Sequence, residues 1–214
     1  MRCALLALLC AGGAAAALPK LTYTRSFPGS DPAWFQIQID HDGALEYKES
    51  PTDEHPVKAQ LTPTEAGPLF ADAEKLNYFK SPLESGLKVA NTGKKTFRYE
   101  AADGTPSEAV FNYSTDEIAH DLLERFENIA ASEHAYLQLD STAHYDKLGV
   151  NDALANIESL WLHKQLAAPQ QFIPLLTRIS THESYMHLVR ERAARLKDQF
   201  QNVSAAAAAD SKSK

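Results

Sequence analysis

The chain has 214 residues, 44% of them hydrophobic and 23% charged, with a formal net charge of −7. That apolar content excludes chain-wide disorder. An acidic chain without a Lys/Arg stripe repels phosphate backbones, which excludes nucleic acid as a partner. Both cysteines, Cys3 and Cys10, lie within the first ten residues, so the rest has no disulfide framework, thiol nucleophile or cysteine-based zinc site.

Residues 1–17 read as a signal peptide. Arg2 supplies the positive n-region, and Ala4–Leu9 with Cys10 and Ala11 form the apolar h-region. Gly12–Gly13 break it, and Ala15–Ala17 are the small residues before a cut ahead of Leu18. The run is too short to span a bilayer, which needs about 20 residues. Lipid attachment at Cys10 is the rival processing route, and bulky Leu9 beside it argues against that. Removing Arg2 with this segment takes the charge from −7 to −8. The mature protein is then secreted or periplasmic, with no transmembrane segment of its own.

Residues 18–140 predict an α+β domain. Pro19, Pro28–Gly29 and Asp31–Pro32 make Leu18–Pro32 an extended lead-in. Phe35, Ile37 and Ile39 then alternate with Gln36, Gln38 and Asp40. Asp42–Gly43 signals a tight turn, and Leu45 and Tyr47 return on the same apolar face, so Trp34–Glu49 is a β-hairpin. Val57, Ala59 and Leu61 suggest a third strand. Thr62, Pro63 and Glu65 announce a helix through a capping box, with Leu69, Ala73 and Leu76 as its stripe. Ser81–Lys95 is a loop with a short strand at Leu87–Ala90. A second hairpin follows, with Phe97, Tyr99, Ala109, Phe111 and Tyr113 on one face and its turn at Asp103–Gly104. Ser114 and Glu117 form a second capping box. It opens a long helix through Ile118, Leu122, Phe126 and Ile129, towards Leu137. The simplest architecture is an antiparallel sheet of about five strands with helices packed on one face.

Residues 141–202 carry helix signals only. One helix runs from Asn151 through Leu154, Ile157 and Trp161. A second carries Phe172, Leu176 and Ile179. A third opens on a Ser180–Glu183 capping box and continues through Tyr185, Val189 and Phe200. Residues 203–214, with the Ala205–Ala209 run, read as a disordered tail.

The candidate chemistry is thin. Asp40–His41–Asp42–Gly43 partly matches a calcium loop with Glu49 at its last position. Gln38 stands where the first acid belongs, and the flanks alternate with period two where helices are needed. His182–Glu183–x–x–x–His187 has the wrong spacing for a zinc helix, since residues five apart sit about 140° apart around the axis. His41, His55, His120, His134, His144 and His163 have no partner at metal spacing. A cluster of His134 with His144 is the one arrangement left to the fold. Gly93–Lys94–Lys95–Thr96 precedes a strand and so is no phosphate loop. No serine-nucleophile motif occurs. Asn112 and Asn202 head sequons that matter only in a glycosylating host. Trp34, Gln36 and Gln38 lie on the sheet face opposite Phe35 and Ile37; that face is a candidate binding surface, against the commoner reading that a lone aromatic at a strand start packs under a loop, here the N-terminal lead-in. No catalytic, cofactor-binding or metal-binding residue is assigned.

The Ile-x-Ile-Asp-x-Asp-Gly hairpin, the helix ending Leu76–Asn77–Tyr78–Phe79 and the later hairpin–helix together resemble a family of small exported bacterial α+β domains of unknown function. The match covers residues 34–130. It implies export and supplies no catalytic residue. Phe172–Leu176 with Val189–Leu196 looks like a single HEAT-type helical pair, and one such pair cannot make a solenoid. Three readings stand. The first is a non-enzymatic module of the cell envelope acting through protein contacts. The second is a secreted hydrolase whose site forms only in the fold, with His134 or His144 beside acids. The third is a small-ligand binder.

Overall fold

The computed structural model describes residues 17–212, with side chains as far as Val203. The predicted signal peptide, with Cys10, lies outside the described residues apart from Ala17. The described chain is α+β: a six-stranded antiparallel sheet, helices on one of its faces, and a helical C-terminal region. No helix among the described residues is long and apolar enough to cross a membrane.

The strands are β1 (Lys20–Ser26), β2 (Trp34–Asp40), β3 (Ala44–Lys48), β4 (Val57–Gln60), β5 (Lys94–Glu100) and β6 (Pro106–Phe111), in the order β4-β3-β2-β1-β5-β6. The additional strand is β1, in the segment expected to be an extended lead-in. Its prolines flank the strand and leave its interior free. Leu21 and Tyr23 are fully buried while Thr22 and Thr24 face the other way. β1 is central, pairing Tyr23 with Ile37 of β2 on one side and with Phe97 of β5 on the other. The first hairpin pairs Ile37 with Tyr47 and Ile39 with Leu45. Asp40 Oδ1 accepts the Asp42 and Ala44 N–H groups in its turn. Gly43 sits there at φ +85, where a Cβ would lie 2.6 Å from the Leu61 carbonyl oxygen. That close approach, with a left-handed φ, requires glycine.

The helices are α1 (Pro63–Lys75), α2 (Glu117–Tyr145), α3 (Val150–Leu162), α4 (Ile173–Thr181) and α5 (His187–Lys212). Short 3-10 turns at Asn77–Phe79 and Pro169–Phe172 follow α1 and precede α4. Leu69 and Ala73 of α1 and Leu122, Phe126 and Ile129 of α2 complete a core with the sheet's inner face. Tyr23 is its hub, with ring centroids 5.6 Å from Phe35, 5.5 Å from Phe97 and 5.2 Å from Phe126. α2 runs on past residue 140. Its Ala135, Leu139 and Ala143 enter a second core with α3, α4 and α5, centred on Phe172, Leu176 and Phe200.

The local signals held unevenly. Glu65 caps α1 as expected, accepting the Thr62 N–H at 2.8 Å. α2 is capped by Asp116, whose Oδ1 accepts from Ile118 and Ala119 at 2.9 and 3.0 Å. Ser114 instead accepts the Asp116 N–H. Asp is an equally good cap, and starting there turns Ala119 into the core. Ser180 lies inside α4, and α5 begins only at His187. Buried Tyr185 first anchors the turn through its hydroxyl on the Ala143 carbonyl. Leu87–Ala90 is no strand: Asn112 reaches across, donating to the Ala90 carbonyl and accepting the Thr92 N–H. The alanine-rich stretch expected to be disordered continues α5 in backbone as far as Lys212, in keeping with alanine's helix propensity.

Candidate functional site

Where the ends of β1 and β3 meet the middle of α2, the inward-facing pattern turns polar. Arg25 continues the buried parity of Leu21 and Tyr23. Glu49 follows buried Tyr47 at the end of β3. From α2, Glu127, Ala130, Ala131 and His134 recur at helical spacing and face these strand ends. Two chains of hydrogen bonds result. The Tyr23 hydroxyl donates to Glu127 Oε1 at 2.6 Å, and Arg25 Nη1 donates to Oε2 at 2.7 Å. The Arg25 guanidinium also lies 4.6 Å from the Phe35 ring centroid. Glu49 Oε1 accepts both the Tyr47 hydroxyl at 2.9 Å and His134 Nδ1 at 2.7 Å. The Gln138 amide stands 2.9 Å from His134 Nε2.

The electrostatics follow from these contacts. The hydrogen bond to Glu49 raises the His134 pKa, with burial opposing, and the same bond holds Glu49 below its ordinary value. Both tyrosines are pushed far up, first by burial and then by their carboxylate partners, so they remain donors. In the neutral ring, Nδ1–H donates to Glu49 and Nε2 accepts from Gln138.

Three depressions flank this seam. One of about 260 Å³ is bounded by Arg25, Asp31, Phe35, Tyr47, Glu127 and His134. Another of about 260 Å³ lies beyond the Arg25–Glu127 bridge, against Lys95, Phe111 and His120. A more open one of about 480 Å³ lies beyond His134, against Glu49, Gln138, Ser141 and Asp152. Lys95, though buried, is saturated. Its ammonium reaches Thr92 Oγ1 and the Asn112 carbonyl at 2.9 Å, and burial pushes its pKa down.

A histidine beside a carboxylate is half of a nucleophilic dyad. The other half is missing, because the Gln138 amide occupies Nε2 where an activated hydroxyl would be needed. His134 and His144 do not cluster. Ten residues of helix separate them, about 15 Å of rise, and His144 binds the Asp140 carbonyl on its own helix. His120 binds the Ser114 carbonyl, His163 the Ser159 carbonyl, and His41 packs 5.0 Å from the Phe70 ring. His182 lies in the turn before α5 and contacts Ser184, so it shares no helix with His187. Among the described residues no group of three or more His, Cys, Asp or Glu could hold a metal ion. Asp40 and Asp42 belong to the hairpin turn.

Sequence reasoning singled out His134 and missed its partners. The one available signal was an arginine at an inward position of a strand, with a glutamate and a histidine seven apart on a helix. Arg25 and Glu127 are 102 residues apart, and no local rule pairs them.

Among the described residues the other face of the sheet carries no helix. One row across it reads Lys58, Glu46, Gln38, Thr22, Arg98 and Glu108, and the next reads Lys48, Gln36, Thr24, Thr96 and Val110. Lys58–Glu46 at 3.2 Å and Arg98–Glu108 at 3.6 Å pair the charges on the flanks. The centre is left to uncharged Thr22, Thr24, Gln36, Gln38 and Thr96. Half-buried Trp34 lies beside Ser26 at one end. The face identified from Trp34, Gln36 and Gln38 is therefore open.

A scan against protein-family models and a search of curated proteins each return no match to this chain.

Proposed function

We propose that the protein is a non-enzymatic module of the cell envelope that binds another protein through the open face of its sheet. The observation that carries this reading is the contrast between the two faces. On the helix side, the titratable groups that come together are tied to one another, and His134, the natural base, has both ring nitrogens engaged. On the open side, three central strands present uncharged hydrogen-bonding side chains, flanked by the Lys58–Glu46 and Arg98–Glu108 pairs and by Trp34. Such a surface suits a non-obligate interface, in which aromatic anchors dominate and the rest is polar complementarity. The N-terminal segment and the resemblance to exported α+β domains support an envelope location. The hydrolase reading has less support, because Gln138 rather than a hydroxyl meets His134.

The test is site-specific photo-crosslinking in cells expressing the full precursor. A benzophenone side chain at Thr24 or Gln36 is expected to give discrete adducts with protein, whereas one at exposed Glu74 on α1 gives none. Equal labelling from all three positions, or none from Thr24 and Gln36, would refute the proposal.

A further inference from the structure

The joint between α2 and the C-terminal helices holds a carboxyl group that the reading above does not use. Glu133 on α2 has an exposure of 0%. Its Oε1 accepts a hydrogen bond from Gln171 Nε2 at 2.8 Å. Its Oε2 and the Gln171 Oε1 are both buried and have no hydrogen-bond partner. An ionised carboxylate only accepts, and so does an amide oxygen. With Glu133 ionised, the two orphaned oxygens belong to partners that cannot satisfy each other. A single proton on Glu133 changes this. The carboxylic acid becomes donor and acceptor together, matching the amide's donor and acceptor, and both orphans are resolved at once.

Beyond the single Gln171 donor, which favours the ionised form but is outweighed by burial, the surroundings offer nothing to an anion. Tyr47 on β3 and Tyr136 on α2 interact with Glu133, and the Tyr47 hydroxyl is committed to Glu49. Neighbouring His134 is tied to Glu49 as well. Glu65, at the start of α1, adds a further negative charge at the joint through its bond to Ala168. Among the described residues no lysine or arginine contributes to its titration. Burial dominates and pushes the carboxyl up to about 7.

The segment that bears Gln171 is strapped down by side chains. The Ala167 N–H donates to Ser132 Oγ at 2.8 Å, the Ala168 N–H to Glu65 Oε1 at 2.9 Å, and the Gln170 amide to the Gln60 carbonyl. We propose that Glu133 and Gln171 form a neutral carboxylic acid–amide pair that latches this segment, and with it the C-terminal helices, onto α2 and the sheet. Loss of the proton places an unpaired charge in the joint. The latch then opens so that water can reach it.

The test uses the full chain and Glu133→Gln, which supplies a neutral side chain with the same donor and acceptor. Carbon-detected NMR of labelled glutamate carboxyls follows Glu133, assigned in wild type through its side-chain correlations to its own backbone amide. A midpoint near 7 is expected, well above the ordinary carboxylate range. Amide exchange at Ala167 and Ala168 is corrected for its intrinsic pH dependence. It is expected to rise by up to about tenfold per pH unit above that midpoint in wild type, and to stay flat in Glu133→Gln. A midpoint in the ordinary carboxylate range would overturn the proposal. So would the same exchange profile in both proteins, and the wild-type titration decides the matter even if the variant folds poorly.

Discussion

Replacing Glu127 with alanine tests whether the polar seam holds the fold together. Two donors lose their acceptor. The Tyr23 hydroxyl is fully buried, so it has no water to turn to, and orphaning such a group costs about 1–3 kcal/mol. Arg25 is 22% exposed in its side chain and rehydrates in part, which limits its share to about 1 kcal/mol or less. Glu127→Ala should therefore destabilise by about 1–4 kcal/mol. At roughly 2–4 °C per kcal/mol for a chain of this size, the melting temperature should fall by about 2–16 °C. Tyr23→Phe removes only the donor, and Glu127 keeps Arg25 and some water, so the expected cost is smaller, about 1 kcal/mol. Urea denaturation of wild type, both single variants and the double variant closes the cycle, with a favourable coupling of about 1 kcal/mol expected. If Glu127→Ala were no more destabilising than Tyr23→Phe, or the coupling vanished, the seam would not be the brace described above.

Further outcomes follow from other parts of the molecule. The His134–Glu49 pair should stabilise the fold most between pH 4.5 and 6.5, the ordinary values of the two groups. The raised His134 pKa gives stability that is fully present below 6.5 and is lost as pH rises through the folded value. The lowered Glu49 pKa gives stability present above 4.5 and lost as pH falls through its folded value. The difference in unfolding free energy between wild type and His134→Asn, followed by urea denaturation from acid to alkaline pH, should peak inside that window, and a flat difference would remove the ion pair. Gly43→Ala should cost about 2–4 kcal/mol, since the left-handed φ and the clash with Leu61 act together. Gly104→Ala, also at positive φ but with open space around it, should cost only about 1 kcal/mol. Equal melting temperatures for these two variants would contradict the packing described at the first turn. The proposed export requires Leu18 as the first residue of the protein recovered from the envelope or medium, as read by mass spectrometry, and an unprocessed chain or a lipid-modified Cys10 would contradict it.

What was legible in the sequence was what is decided locally. Both hairpins were marked by Asp-Gly turns between alternating runs, and α1 by a reciprocal Thr62–Glu65 pattern. β1 was concealed because its flanking prolines looked like punctuation of the whole segment. Its Leu–Thr–Tyr–Thr alternation was the better guide, and only its two neighbours in the sheet show it to be the centre. Helix starts were misplaced where two good caps lay close together, as with Ser114 and Asp116. They were also misplaced where a tertiary anchor delayed the helix, as Tyr185 does before α5. The seam was invisible for a further reason. Tyr23, Arg25, Glu49, Glu127 and His134 each look unremarkable within their own elements. Their chemistry exists only through contacts across 85 to 104 residues of chain.

In the function proposed above, binding resides on the open face of the sheet and the seam serves the fold alone. Crosslinking from Gln36 in two altered backgrounds tests it most directly. In a folded His134→Asn, Glu49→Gln protein the adduct should persist unchanged, whereas in a folded Thr22→Glu, Thr24→Glu protein it should disappear. Loss of the adduct in the first background, with retention in the second, would contradict the account and return the function to the seam.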